Sequence, residues 1–197
     1  MPSHPPPDAA PGGGTPDLLR LAGVALEFIA FKAVWLACVL GAAHEQPGLG
    51  PTAFGVSALA HAVLLRPPAS VWWLVLGLSV GGFAVDSIFA SSQLPSYAAP
   101  VPLVGLAPVW IVTMWANFAL LFGSTLRWLH HRYALAGLMG AIGGPAAYLA
   151  GRSLGGVTFT AELWLIIVCL AFVWALAVPL CGVLMQRLGQ RALPSPT

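Results

Sequence analysis

Charge is what this sequence lacks. Of 197 residues, eight are Lys or Arg and six are Asp or Glu, which makes 7% charged residues. Soluble domains carry roughly 25%. A chain so poor in charge cannot cover a water-facing surface. Its net charge of +2 offers no basic face, so nucleic acid is excluded as a partner. Cysteine is scarce too. Cys38, Cys169 and Cys181 lie inside apolar runs with no CxxC or Cys/His spacing, and read as small buried hydrophobes. No HExxH motif, Ser-His-Asp arrangement or phosphate-binding loop is present, so no metal and no cofactor is expected. Also missing is the alternation of polar and apolar residues over about ten positions that marks a membrane β-barrel strand.

What is there is apolar. Hydrophobic residues make up 58% of the chain, and the mean hydropathy is +0.86. The solvent such a chain suits is lipid, where every backbone polar group must be paired internally. Long apolar runs separated by Pro and Gly predict an all-α membrane bundle. The first 16 residues hold no Lys or Arg and no apolar core, so they are not a signal peptide. Their Pro and Gly predict a disordered tail. Residues 191–197 look similar, which leaves residues 17–190 as the membrane domain.

A span needs about 20 mostly apolar residues. Six candidates follow: 18–43, 52–65, 71–90, 104–126, 133–150 and 161–185. Thr15, Pro16 and Asp17 form a good helix start for the first. Ser70 and Thr160 are expected to cap the third and sixth, with Glu162 in the first turn of the latter. The second is short, bounded by Pro51 and by Arg66-Pro67-Pro68, and its length alone would also suit a re-entrant segment. With the N-terminus inside, Arg20, Arg66, Arg127, Arg132, Arg187 and Arg191 fall on the cytoplasmic side, and only Arg152 falls outside. Dropping the second span would split Arg20 from Arg66. The expectation is therefore six spans in a bacterial inner membrane with both termini cytoplasmic. Trp72, Trp73 and Trp128 then fall at the inner interface and Trp110 and Trp164 at the outer one. Trp35, Trp115 and Trp174 lie deeper, between helices.

Ionisable residues inside a span are costly and are functional candidates by default. At 1.5 Å per residue, Lys32 lies roughly 21 Å from the cytoplasmic edge and Asp86 roughly 22 Å. They share a level, so an ion pair between the first and third helices is one expectation. Separate satisfaction at the outer interface is the other. Glu27 lies deeper, at about 13 Å, near the level of Asn117, and a hydrogen bond between these two or a polar cavity would satisfy it. Glu27 and Lys32 are five residues apart and point away from each other. His61 has no second histidine at a matching position. Arg127, His130, His131 and Arg132 form a basic loop that suits an anionic lipid headgroup, although a stop-transfer and orientation signal accounts for it better. Ala136, Gly140 and Gly144 repeat every four residues, as do Gly77 and Gly81, giving small faces for close helix packing. Pro145 should kink the fifth helix, and Tyr148 follows one turn later.

The stretch from Pro108 to Val157, with its GGPAAYLAG element, resembles the bacterial membrane proteins of domain-of-unknown-function family 2878 (DUF2878). So do Phe31 to Ala42 and Asp86. The resemblance covers roughly residues 24–185. In place of the Gln expected after Phe31 the chain has Lys32, so an ion pair there would be particular to this protein. The resemblance implies a multi-pass inner-membrane protein of a Gram-negative bacterium, loosely associated with fatty-acid modification, and supplies no activity.

Three functions fit the sequence. The first is a non-enzymatic accessory or binding protein for a lipid or small molecule. The second is a small transporter using Glu27, Lys32 and Asp86, although no inverted repeat is visible. The third is a membrane-embedded lipid-modifying enzyme. The bilayer is the one partner the sequence names, and it identifies no protein partner.

Overall fold

The computed structural model describes residues 15–92 and 94–191. Residues 1–14 and 192–197, which make up nearly all of the two expected tails, lie outside the described residues. Six helices form the fold: α1 (Thr15–Ala43), α2 (Leu49–Leu64), α3 (Ala69–Ser91), α4 (Val109–Gly123), α5 (Tyr133–Ser153) and α6 (Leu163–Arg191). A single 3-10 turn, Arg127–Leu129, precedes α5. The helices are joined by one element the all-α expectation did not include. Strands β1 (Pro95–Tyr97) and β2 (Val157–Phe159) pair antiparallel, with Ser96 opposite Thr158.

Four helices are long and apolar enough to cross a membrane: the Leu21–Ala43 part of α1, α3, α5, and Leu163–Leu188 of α6. This corrects the expected six. Helix α2 has 16 residues and α4 has 15. At 1.5 Å per residue α4 is roughly 22 Å long, short of the ~30 Å hydrocarbon core. It was expected to begin at residue 104. Instead Pro108 is extended at its N-terminus, and Gly105 takes a positive φ of 84° in the loop before it. At the other end the Ser124 hydroxyl bonds back to the Leu120 carbonyl as the chain leaves the helix.

Smaller boundaries also moved. Pro51 lies in the first turn of α2 rather than before it, where its missing N–H costs nothing. Ser70 lies inside α3, with Pro68 at the cap position. Helix α6 starts at Leu163. The Glu162 carbonyl accepts its first backbone bonds, so Glu162 stands at the cap and Thr160 does not. The Thr160 hydroxyl instead donates to the Leu94 carbonyl, joining the two loops that carry the strands. Helix α5 stays helical through Pro145, as α6 does through Pro179.

The helices run alternately between two ends of the bundle. At one end the β1–β2 ladder ties the α3–α4 and α5–α6 loops together. Gly156 lies so close to Val39 of α1 that a Cβ there would stand 3.0 Å from its side chain. Opposite, Glu27 of α1 meets Thr125, Gly123 abuts Val71 of α3, and Gly182 of α6 abuts His130. Packing proceeds α2–α1–α4–α3–α6–α5, with α4 central. Eleven of its 15 residues are buried. Helices α1 and α5 have no extensive contact with each other.

One layer of side chains fixes the spacing at the centre. The Trp115 indole fills the notch at Gly82 of α3, where a Cβ would stand 2.1 Å from the ring. Trp115 stacks on Trp174 at 4.5 Å and 4°. Trp174 in turn lies on Gly140 and Gly144 of α5. Gly77 and Gly81, expected to form a packing face, have nothing within 4 Å of an added Cβ. The neighbouring Gly82 does that work. Trp110, expected near an interface, is fully buried, and its indole donates to the Ala98 carbonyl at 2.9 Å. Trp73, Trp128 and Trp164 are exposed.

Candidate functional site

Asp86 is fully buried on α3, and three donors reach it from three other elements. Tyr97 of β1 donates to Oδ1 at 2.5 Å, and Trp115 of α4 donates to Oδ2 at 2.6 Å. Tyr148 of α5 also bonds Oδ1. The indole N–H can only donate, whereas the two hydroxyls can donate or accept, so the cluster can hold a proton in more than one place. Tyr97 lies in the strand cap. Burial first, then the neighbouring Asp86 carboxyl, raise its phenol above the ordinary range.

Lys32 is not part of this cluster. It has no hydrogen bond or ion pair among the described residues. Its ammonium instead lies 5.5 Å from the Phe28 ring centre and 5.7 Å from those of Phe31 and Trp35. The expected Lys32–Asp86 pair is therefore absent, because Asp86 is already surrounded by donors. Both residues are nonetheless tied to the same turn of α4: Trp115 bonds Asp86, and the Asn117 amide donates to the Phe31 carbonyl at 3.0 Å. The expected Glu27–Asn117 bond is absent too. Glu27 accepts from the Thr125 hydroxyl at 2.5 Å.

Between α1, α4, α5 and α6 lies a cavity of about 250 Å³. Its walls are mainly apolar and aromatic, including Phe31, Trp35, Trp110 and Trp174. Trp115 and Tyr148 also line it, so two of the groups holding Asp86 face the cavity. Lys32 lies on its wall, and Gly140, Gly143 and Gly144 form a smooth strip along α5. From Met139 to Gly151 that wall is roughly 18 Å long. With lining residues spread over such a length, the cavity is an elongated slot. Leu126 and Leu129 line it near one end of the bundle and Val157 of β2 near the other. Its long side lies where α1 and α5 fail to pack.

The basic loop is partly structural. His130 stacks on the Phe122 ring at 4.9 Å, and its Nε2 lies 3.0 Å from the Phe122 carbonyl. Its own carbonyl accepts from Gln186 of α6 at 2.6 Å. Burial, then the charges of Arg127 and His131, hold its imidazole below the usual range against the raising effect of the Phe122 bond. Gln186 also reaches His131 Nδ1 and the Tyr133 hydroxyl. Arg127, His131 and Arg132 are exposed, with Arg132 over the Trp128 ring at 5.7 Å.

Of the residues singled out from sequence, Asp86 and Tyr148 converge, and Gly140 and Gly144 face both Trp174 and the slot. Glu27 stands apart. Sequence reasoning missed Tyr97, Thr125 and Gln186, and with them the slot itself. Tyr97 carried one signal, being an aromatic hydroxyl in a polar loop beside the end of a span that contains a carboxylate.

A model of the family described as protein of unknown function, DUF2878, matches residues 24–180. The chain belongs to that family. No curated protein and no solved structure matches this DUF2878 protein. It is a membrane-associated, multi-pass helical protein of a bacterial family without an assigned activity.

Proposed function

We propose that this DUF2878 protein is a non-enzymatic binding protein of the bacterial inner membrane that takes the hydrocarbon chain of a membrane amphiphile into the slot between α1 and α5. The observation that carries this reading is the shape of the slot. It is apolar and elongated, lined near its two ends by Leu126, Leu129 and Val157, and bordered by two helices that do not pack together. A molecule would enter from the side, out of the bilayer. An accessory role in lipid metabolism follows naturally from such a site. The transporter reading has less support, because the sequence shows no inverted repeat. The enzyme reading has less support because both oxygens of Asp86 are taken by donors of the chain itself.

In this reading both termini are cytoplasmic, and the two short helices, α2 and α4, complete the bundle between the four long spans. The support is the alternation of the helices between two ends, with Arg66, Arg127, Arg132 and Arg187 at one end and Arg152 at the other.

The test uses the slot's own fluorophores. Four of the eight tryptophans, Trp35, Trp110, Trp115 and Trp174, line it. A brominated long-chain alcohol should quench the detergent-solubilised protein saturably. Gly143→Phe should abolish the saturable part, since Gly143 lines the slot and nothing lies within 4 Å of an added Cβ. Quenching that is linear with concentration, or that is unchanged in Gly143→Phe, would sink the reading.

A further inference from the structure

The slot has one ionic feature the fold does not use. Lys32 is the single lysine of the chain, and it lies on the slot wall of α1. An ammonium has three donors and no acceptor, and holding one inside a membrane is costly unless it is paired. Among the described residues, the two acids of the neighbouring helix segments, Asp86 and Glu27, are committed elsewhere. Asp86 is held by Tyr97, Tyr148 and Trp115. Glu27 is held by Thr125 on the far side of the bundle's central helix end, and it points about 140° away from Lys32 around α1. The rings of Phe28, Phe31 and Trp35 stabilise the cation by their quadrupoles, but they bring no negative charge.

The position of the amine is also held. Asn117 is buried on α4, and its amide grips the Phe31 carbonyl, one residue before Lys32. That bond fixes the turn of α1 from which Lys32 extends. Phe28 faces outward and is exposed, whereas Phe31 and Trp35 line the slot. An ammonium among these three rings stands at the border between lipid and slot. That is the place where the polar end of a molecule would remain once its chain had entered.

We propose that the slot selects single-chain anionic amphiphiles, and that Lys32 is the residue that recognises the anion. The inference rests on the slot being a chain-binding site and adds the chemical class of the ligand. A chain fills the apolar groove along the α5 glycines while a carboxylate or a phosphate monoester pairs with the Lys32 ammonium. The narrow groove admits one chain, so double-chain lipids bind poorly.

The experiment compares three brominated probes of equal chain length: a carboxylate, a phosphate monoester and the neutral alcohol. Tryptophan quenching is read in the wild-type protein and in Lys32→Gln, Lys32→Arg and Gly143→Phe. In the wild type one or both anions bind at least about tenfold tighter than the alcohol, the scale of one charge-assisted contact. The anion that binds tighter identifies which headgroup chemistry the site is built for. In Lys32→Gln the preference collapses to about twofold or less while the alcohol still binds, and Lys32→Arg retains the preference. Retention of the anion preference in Lys32→Gln, or an alcohol that binds the wild type as well as the anions do, overturns the role of Lys32 and leaves the slot standing. Absence of saturable quenching by all three probes removes the chain-binding site and this inference together.

Discussion

Two adjacent glycines of α5 should respond oppositely to the same substitution. Gly143 has open space where its Cβ would be, whereas a Cβ on Gly144 would lie 2.2 Å from the Trp174 ring. Replacing Gly by Ala inside a helix gains about 0.8–1 kcal/mol of intrinsic propensity. Gly143→Ala should therefore stabilise the protein by up to that amount. Gly144→Ala gains the same propensity but forces the ring to move, and overpacking a well-filled site costs about 1–3 kcal/mol. The ring is hemmed in on two sides. Trp115 stacks on its other face at 4.5 Å, and Phe118 stands edge-on at 5.5 Å. Pushing Trp115 in turn presses it into Gly82 and disturbs its bond to Asp86. The cost should lie toward the upper end, and because the propensity gain is common to both variants and cancels, they should differ by roughly 2–3 kcal/mol. Thermal unfolding in a single detergent, followed by tryptophan fluorescence, reads this difference directly. If both variants shift the midpoint in the same direction, the layered Gly–Trp–Trp–Gly packing is wrong.

Further outcomes follow from the same geometry. Lys32→Gln and Asp86→Asn should combine additively within about 0.5 kcal/mol, because the two side chains do not touch, whereas a coupling well above that in a double-mutant cycle would restore the ion pair. His130 has a folded-state pKa held below the ordinary value near 6.5, chiefly by burial. The stability from its neutral form is therefore present above about pH 6.5 and is lost as pH falls through that value. Unfolding midpoints between pH 7.5 and 5 should fall further for the wild type than for His130→Gln, and parallel profiles would refute the assignment. For the topology, a single cysteine at Arg152 in a Cys-free background should label from outside the cell, and one at Arg127 should label only after permeabilisation. The reverse pattern, or equal labelling, would overturn the proposed orientation.

How much of this was legible in the sequence depends on which physical signal each element sends. Apolar length is a local property, so α1, α3, α5 and α6 are visible in hydropathy alone. Helix α4 is equally apolar, and its true ends are set by Pro108 and the Ser124 hydroxyl, so the run of apolar residues from 104 to 126 overstates it. The strands escaped because three residues on each side are too few to show a period. Depth arithmetic brought Lys32 and Asp86 to a common turn of α4, but depth says nothing about rotation around a helix axis. Asp86 turns toward Tyr97, Tyr148 and Trp115, and Lys32 turns toward its own aromatic neighbours. Small-residue spacing singled out Gly140 and Gly144, which abut Trp174 of α6, and equally Gly77 and Gly81, which have open space where a Cβ would be. A four-residue repeat shows that a face is smooth, and only the partner helix decides whether anything rests on it.

The shortness of α4 bears on where the chain can tolerate change in length. In the proposed membrane setting, a helix of roughly 22 Å in a ~30 Å layer would leave its two ends below the membrane surface. The loop segment at residues 94–108, with β1, and the turn at 124–132 would then fill that missing depth with their buried members Tyr97, Ala107 and Leu129. These connections are walls of the bundle rather than tethers. Inserted residues that most membrane proteins absorb in their loops would here open a gap at membrane depth beside the Asp86 cluster. The short turn between α1 and α2, where Glu45 is exposed, is the connection with room to spare, and an epitope tag or a natural insertion belongs there.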